Sequence, residues 1–428
     1  MVDAEGDRRR VDILRGSAVV GLIITSPEWV HRRVDGIVLG PDGETTRSSS
    51  YDFTLPRDAP APGPDGRVLL PLSFIRKGAL RRFSATGPDG RTPAPVLTRT
   101  ENTAVAAGML ASFFPDDAKG GDLEQLILDV VDYADGSADG EEALGRLLDG
   151  ARQALEPNAA EATLDQALDV FESLARTLMD HFVLLVEVDA RILGMRSIVK
   201  ISYEQELVFR RRPWEHTTVF TFPVPDFGSA RSHHVEVTVP AALSIRELSL
   251  RDKATHDHVL DRPEGNAALG HVSLSPGHRF SQATVRVEAC PAQSGITGFT
   301  TVANIAVFLL TALLVLEKIG ATHLLARGLP LQSSAASVVL FAPALLLSWL
   351  ARTAEHDLVR VLFKPLRFSL GLFALFFLTL GVLAAGPLTM EGRAVAWALV
   401  WIASGIGILG FLGYRLNVRR LRLKRRGE

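Results

Sequence analysis

Four apolar runs in the last third of the chain constrain everything else about it. They cover roughly Gly298 to Leu316, Ala335 to Ala351, Phe368 to Ala385 and Ala394 to Tyr414, and none carries Asp, Glu, Lys, Arg or His in its interior. A helix needs about 17 to 25 apolar residues to cross about 30 Å of hydrocarbon. The sequence therefore predicts four transmembrane helices, at about 298–316, 335–351, 368–385 and 394–414.

Charge orients them. From Ile296 onward there are 14 Lys and Arg against 5 Asp and Glu, a net of +9, which leaves 32 against 43, a net of −11, for residues 1–295. Cations gather between the second and third runs (Arg352, Arg360, Lys364, Arg367) and after the fourth, where six of the last twelve residues are Arg or Lys. The positive-inside rule puts both segments in the cytoplasm, and an even number of spans returns the large N-terminal part to that side. No cleavable signal peptide is read at the N-terminus, because the apolar stretch Ala18 to Thr25 is short and Pro27, Glu28 and Trp29 follow it. In the basic tail, 415–428, Arg419, Arg420, Arg422, Lys424, Arg425 and Arg426 are expected to lock this topology. They also offer a surface to anionic lipid, worth about 1 kcal/mol per cation near a charged leaflet.

Within the fourth run Ala396, Ala403, Gly407 and Gly410 recur at spacings that put small residues on one helix face, where backbones can approach closely. Packing inside one bundle is the expected use, and self-association with a second copy is the alternative. Pro343 is a candidate kink, and Asn304, the one amide in these runs, is read as interhelical glue.

The soluble part divides by periodicity. Residues 1–100 read as strands joined by turns, with the tetrapeptide Gly-Pro-Asp-Gly at 40–43 and again at 87–90; Pro presets the first turn dihedral and Gly accepts positive φ. Over 101–182 the period becomes helical, with stripes such as Leu123, Leu126, Ile127, Val130 and Val131. From Pro115 to Asp180 there are 17 acids against 4 bases, expected on the solvated faces of amphipathic helices, with a docking face for a basic partner as the sharper alternative. Strands return over 183–290, where Val235, Val237 and Val239, and Val285, Val287 and Ala289, alternate toward one core. A short linker, 291–297, leads into the first membrane helix. The expected fold class is mixed: a soluble, sandwich-like β-rich region with an acidic helical insert, followed by a four-span helical bundle.

Few constellations suggest chemistry. "DYADGSADGEE" meets an EF-hand pattern only in its second half, since Val131 and Tyr133 would stand at loop positions that need oxygen ligands. No metal site is expected; the nearest approach is His234 and Glu236 on one strand face with His256 and His258 on another. The histidines of the second β region, His233 among them, are expected to be exposed and unrelated. Walker, Rossmann, HExxH, GxSxG and kinase motifs are missing. The single cysteine, Cys290, excludes an internal disulfide and reads as a small strand residue. With 39 Arg against 7 Lys the coding bias suggests a bacterium, and no basic footprint points to nucleic acid. Arg352 to Arg367 mixes Glu355, His356 and Asp357 with an apolar group, and is the expected coupling loop between the two halves.

The leading expectation is a bacterial inner-membrane, multi-pass protein with both termini cytoplasmic. It would present its β-rich domain for non-catalytic sensing, binding or scaffolding, with no cofactor and with a cytosolic protein or small ligand as partner. The alternatives are an oligomeric channel or transporter gated by the soluble part, and a membrane-bound metal-dependent enzyme. A β-rich region feeding four helices shares the layout of pentameric ligand-gated ion channels, and only the layout, so that family is not assigned.

Overall fold

The computed structural model describes residues 14–40, 44–57, 66–78, 80–114, 121–133, 138–155, 161–206, 209–210, 218–227, 229–252, 258–261, 263, 265–273, 281–292, 296–318, 334–352, 359, 363–385 and 389–424. Its β-rich part is built on a six-stranded mixed sheet whose strands come from both sides of the helical insert. These are β1 (Val30–Leu39), β2 (Glu44–Thr54) and β4 (Arg81–Thr86), then β6 (Arg196–Glu206), β9 (Ser232–Thr238) and β12 (Ala267–Ser273), in the order β12-β9-β1-β2-β6-β4. The β1–β9 pair is parallel and the other pairs are antiparallel.

Two smaller sheets lie over one face of this sheet. One is a ribbon of β3 (Arg67–Arg76) and β5 (His181–Asp189); the other has five strands in the order β11-β10-β13-β8-β7. Its members are β7 (Phe209–Arg210), β8 (Thr218–Phe227), β10 (Leu243–Asp252), β11 (His258–Asp261) and β13 (Ser281–Pro291). Both predicted alternations face inward: Val235, Val237 and Val239 pack in one core with Val285, Val287 and Ala289. The first Gly-Pro-Asp-Gly falls in the sequence between β1 and β2, with residues 41–43 outside the described residues. At the second, Gly90 takes φ +70°, and Asp89 accepts hydrogen bonds from the amides of Arg91 and Thr92 and from the Thr92 hydroxyl.

The ribbon is apolar on both sides. Leu184, Val186 and Val188 face the six-stranded sheet, whereas Val183 and Leu185 face the helices. That explains the unbroken run FVLLV at 182–186, which a strand wet on one side would interrupt with polar residues. Pro71 sits where the β3–β5 register shifts, a place that tolerates its missing N–H.

The helical layer comprises α3 (Arg99–Ala111), α4 (Gly121–Val131), α5 (Ala138–Leu155) and α6 (Glu161–Asp180). The helical stripes are its core: Ile127, Val130, Leu144, Leu147, Phe171 and Leu174 are buried together. α3 opens on a capping box, in which the Thr98 hydroxyl accepts from the Glu101 amide while Glu101 accepts from the Thr98 amide.

One correction concerns the N-terminus, expected as strands and turns. Residues 14–24 form a helix, α1 (Leu14–Ile24), followed by the short α2 (Ser26–Trp29). Val19 and Val20 join the helical core, and Leu22 joins the core under the sheet. A Cβ at Gly16 would fall 2.2 Å from the Gly108 carbonyl carbon, so glycine lets α1 and α3 meet backbone to backbone. This contact is nonlocal, and local periodicity carries no trace of it.

Among the described residues three C-terminal helices are long and apolar enough to span a bilayer, and they mark the chain as membrane-associated: Ile296–Leu316, Leu366–Leu383 and Met390–Leu409. They lie in α7 (Ile296–Lys318), α9 (Lys364–Ala385) and α10 (Met390–Lys424). The remaining expected span falls in α8 (Ser334–Arg352), where the apolar stretch among the described residues is shorter, Leu340–Trp349. α10 runs without a break through most of the segment read as a tail. Phe373, Phe376, Val307, Val400 and Ala403 are buried between the helices, and the Thr311 and Ser404 hydroxyls bond across the bundle at 2.8 Å. Leu309, Leu345 and Leu409 face outward. The core of the five-stranded sheet and that of the bundle form one continuous apolar cluster, which includes Ile296, Val359 and Phe363.

Candidate functional site

A cavity of about 530 Å³ opens between the ribbon, β4 and the helical layer, within the range of small-molecule sites. Its walls are mostly apolar, with Leu80, Phe83, Val96, Ala106, Val183 and Leu184 among them. Polar groups enter from Lys77, Arg99, Asn102, Asp132 and His181.

Lys77 follows β3 directly, and its amide donates to the Asp180 carbonyl at 2.9 Å, carrying the ribbon ladder one step past the strands. This aims the side chain at the end of α4. Nζ donates to the carbonyls of Val131 at 2.5 Å and Tyr133 at 3.0 Å. A helix C-terminus exposes unpaired carbonyls and the negative end of its dipole, so it suits a cation. Burial nevertheless pushes the Lys77 ammonium down to about 8, a depression that the neighbouring Asp132 and Asp180 carboxylates only partly offset.

The other polar groups are largely engaged. The Asn102 amide donates to the Val183 carbonyl at 2.5 Å, tying α3 to the ribbon, and at the rim Arg99 pairs with Asp132 at 2.9 Å. The half-buried His181 has a covered Nδ1 that makes no hydrogen bond among the described residues.

A second polar cluster lies under the six-stranded sheet, with apolar core on either side. Register assembles it: Asp35 stands opposite Ser49 on β2, while Arg33 stands opposite Tyr51 on β2 and His233 on β9, all facing inward. Asp35 is fully buried and accepts from the Ser49 hydroxyl at 2.5 Å, from Arg33 Nε at 3.2 Å and from His233 Nε2 at 2.9 Å. Since an ionised carboxylate only accepts, this bond places the proton on Nε2. The Arg33 guanidinium also lies 5.1 Å from the Tyr51 ring centroid. Arg47 donates to the Pro223 carbonyl on β8 at 2.7 Å, and its Nη2 is 3.7 Å from Asp35.

Burial alone would raise the Asp35 carboxyl. Arg33, the His233 hydrogen bond and Arg47 together outweigh it and hold the group well below the usual carboxylate range. Burial pushes the His233 imidazole down, and Asp35 opposes this only in part. Two guanidiniums thus share one carboxylate and a neutral imidazole. This corrects the expectation of exposed histidines for His233, which the parallel register with β1 turns inward.

The residues singled out in the sequence are dispersed. His234 and Glu236 lie on β9, on the face opposite His233, with His234 Nε2 3.2 Å from the Ser232 hydroxyl. His258 belongs to β11 in the five-stranded sheet, and His256 is outside the described residues. Among the described residues no group of three or more His, Cys, Asp or Glu is placed to hold a metal ion.

Glu355, His356 and Asp357 also lie outside the described residues, although their neighbours Val359 and Phe363 are buried in the shared apolar cluster. Ala396 and Ala403 are buried, and a Cβ at Gly407 would fall 2.4 Å from the Phe373 ring of α9. Gly410, Arg419, Arg420, Arg422 and Lys424 are in α10, while Arg425 and Arg426 follow it outside the described residues. Cys290 is a half-buried residue of β13.

Sequence reading missed Lys77, His181 and the Asp35 cluster. A lysine just past a strand has no local mark of a cavity, because α3 and α4, which complete the walls, come later in the chain. No protein family matches this chain, and no curated protein does.

Proposed function

We propose that this is a membrane-anchored binding protein, non-catalytic, whose soluble part takes a small ligand in the Lys77 cavity. The observation that carries the reading is the cavity itself, a mostly apolar volume with a few polar groups in its lining, as small-molecule sites generally are. In this proposal the β-rich region is a sandwich, α8 completes a four-span bundle, and ligand state reaches the membrane through the shared apolar cluster. The setting is a bacterial inner membrane with both termini cytoplasmic, and the basic end of α10 holds anionic lipid.

The test is native mass spectrometry of the full chain in lipid nanodiscs. Wild type should retain a small molecule that Thr103→Trp, which fills the cavity from α3, does not. Equal retention by both proteins, or retention by neither, counts against the cavity as the site. Sidedness is tested at Cys290: a membrane-impermeant maleimide should label it in lysed but not intact spheroplasts, with a denatured control to show that the thiol reacts. Labelling in intact cells overturns the topology.

A further inference from the structure

We infer that the cavity selects an apolar organic acid, a compact hydrophobic body bearing one carboxylate that is received by the Lys77 ammonium. The inference rests on the binding role proposed for this cavity and adds the chemical class of its ligand.

Geometry carries it. An ammonium has three N–H donors. Among the described residues, those of Lys77 go to the carbonyls of Val131 and Tyr133, on the α4 side, which leaves a third for the cavity that Lys77 lines. Among the neighbouring polar groups, one Asn102 amide N–H goes to Val183, and Arg99, exposed at the rim, pairs with Asp132; Lys77 is the half-buried cation of the lining. The lining thus offers a cationic donor, while Leu80, Phe83, Ala106 and Val183 supply walls for an apolar body.

The charges around Lys77 favour an anion. Asp132 and Asp180 are exposed to water, and Asp132 already pairs with Arg99, whereas the amine itself is half-buried. Desolvation of the ammonium outweighs what the two carboxylates return to it. A carboxylate brought into the cavity supplies the missing compensation in a partly desolvated setting, where charge-assisted hydrogen bonds are strongest. A cationic ligand would add a second desolvated positive charge. A neutral one would fill the apolar volume without relieving the ammonium.

The experiment uses the full chain in nanodiscs, with empty nanodiscs as blank, and three probes of one shape: naphthalene-1-acetate, 2-(1-naphthyl)ethanol and 2-(1-naphthyl)ethylamine. At pH 7 the acid should bind about tenfold tighter than the alcohol, the amine most weakly, and Thr103→Trp should abolish all binding. Between pH 7 and 9.5 Lys77 loses its proton while the acid stays ionised, so the acid should fall to the affinity of the alcohol and the alcohol should not change. That arm needs no variant. Lys77→Met should reproduce the loss at pH 7.

Equal binding of acid and alcohol, removed by Thr103→Trp, overturns the anion preference and leaves the cavity as a binding site. Tightest binding by the amine overturns it in favour of Asp132 and Asp180. Binding of no probe, or binding indifferent to Thr103→Trp, overturns both the preference and the site.

Discussion

Two of the sites where cations are taken from water meet the same cost in different ways. Under the six-stranded sheet, Arg33 and Arg47 are almost fully buried, and the chain supplies their partners: a carboxylate, a backbone carbonyl and an aromatic face. At the cavity, Lys77 has two carbonyls and then open volume. Desolvation penalises any buried charge, and only good geometry with hydrogen bonds offsets it. The first cluster is closed and reads as architecture. The second is open on one side, and the open side is where chemistry from outside can enter.

The largest predicted effect breaks the closed cluster. Asp35→Ala leaves two buried guanidiniums without their counter-ion and should destabilise the protein by about 3–5 kcal/mol, read from urea unfolding in nanodiscs. A loss below about 1 kcal/mol would mean that the cluster is not the buried unit described. Acid should act on the same unit. The depressed Asp35 carboxyl gives stability that is complete above about pH 3.9 and is lost as pH falls through its lower folded value. His233 adds to this trend. Its depressed imidazole stays neutral while the unfolded chain takes up a proton near pH 6.5, so stability should already decline below that pH. Asp35→Ala should have a shallower acid limb than wild type.

Lys77→Met sharpens the contrast. It removes two hydrogen bonds to the end of α4 but also a poorly compensated charge, so the cost should be modest, about 1 kcal/mol at pH 7. The folded ammonium titrates near 8 and the unfolded one near 10.5. Between those values the unfolded chain binds more protons, so wild-type stability should gain a rising component with pH that Lys77→Met lacks. Differential scanning fluorimetry from pH 7 to 10.5 reads this directly; parallel profiles would remove Lys77 as the titrating group.

The smallest effect belongs to the rim. Arg99→Ala breaks an exposed pair with Asp132 and should cost at most about 1 kcal/mol, vanishing at high salt. A larger loss by thermal unfolding would place that pair among the structural contacts.

What could be read beforehand follows the range of each cause. The stripes Ile127–Val130–Val131 and Leu144–Leu147, and the alternation Val235–Val237, are local and face where their period puts them. The apolar runs at the C-terminus are as legible, because lipid demands length and composition and little else. β1 shows the limit. By alternation alone Val34 and Val38 would point inward, yet Val38 is 47% exposed and Arg33 and Asp35 are buried. Ser49, Tyr51 and His233, which make that burial tolerable, lie 14 to 198 residues from Asp35 or Arg33, and no window along the sequence contains them. The helix at 14–24 also packs through a remote contact, Gly16 against Gly108 on α3, which no local window contains. Lys77 needed three elements to be placed before its surroundings existed.

α10 has one more consequence. At 35 residues it is about 52 Å long, while its apolar segment, Met390–Leu409, fills about 30 Å of it. Past Gly410 to Tyr414, which are apolar as well, residues 415–424 carry the same helix on by about 15 Å into the basic stretch. Held in a bilayer by its apolar segment, such a helix would act as a lever. A tilt of about 10°, well inside the range open to membrane helices, would then sweep the far end of that extension by about 3 Å, so small rearrangements among α7, α9 and α10 would be read at the charged end.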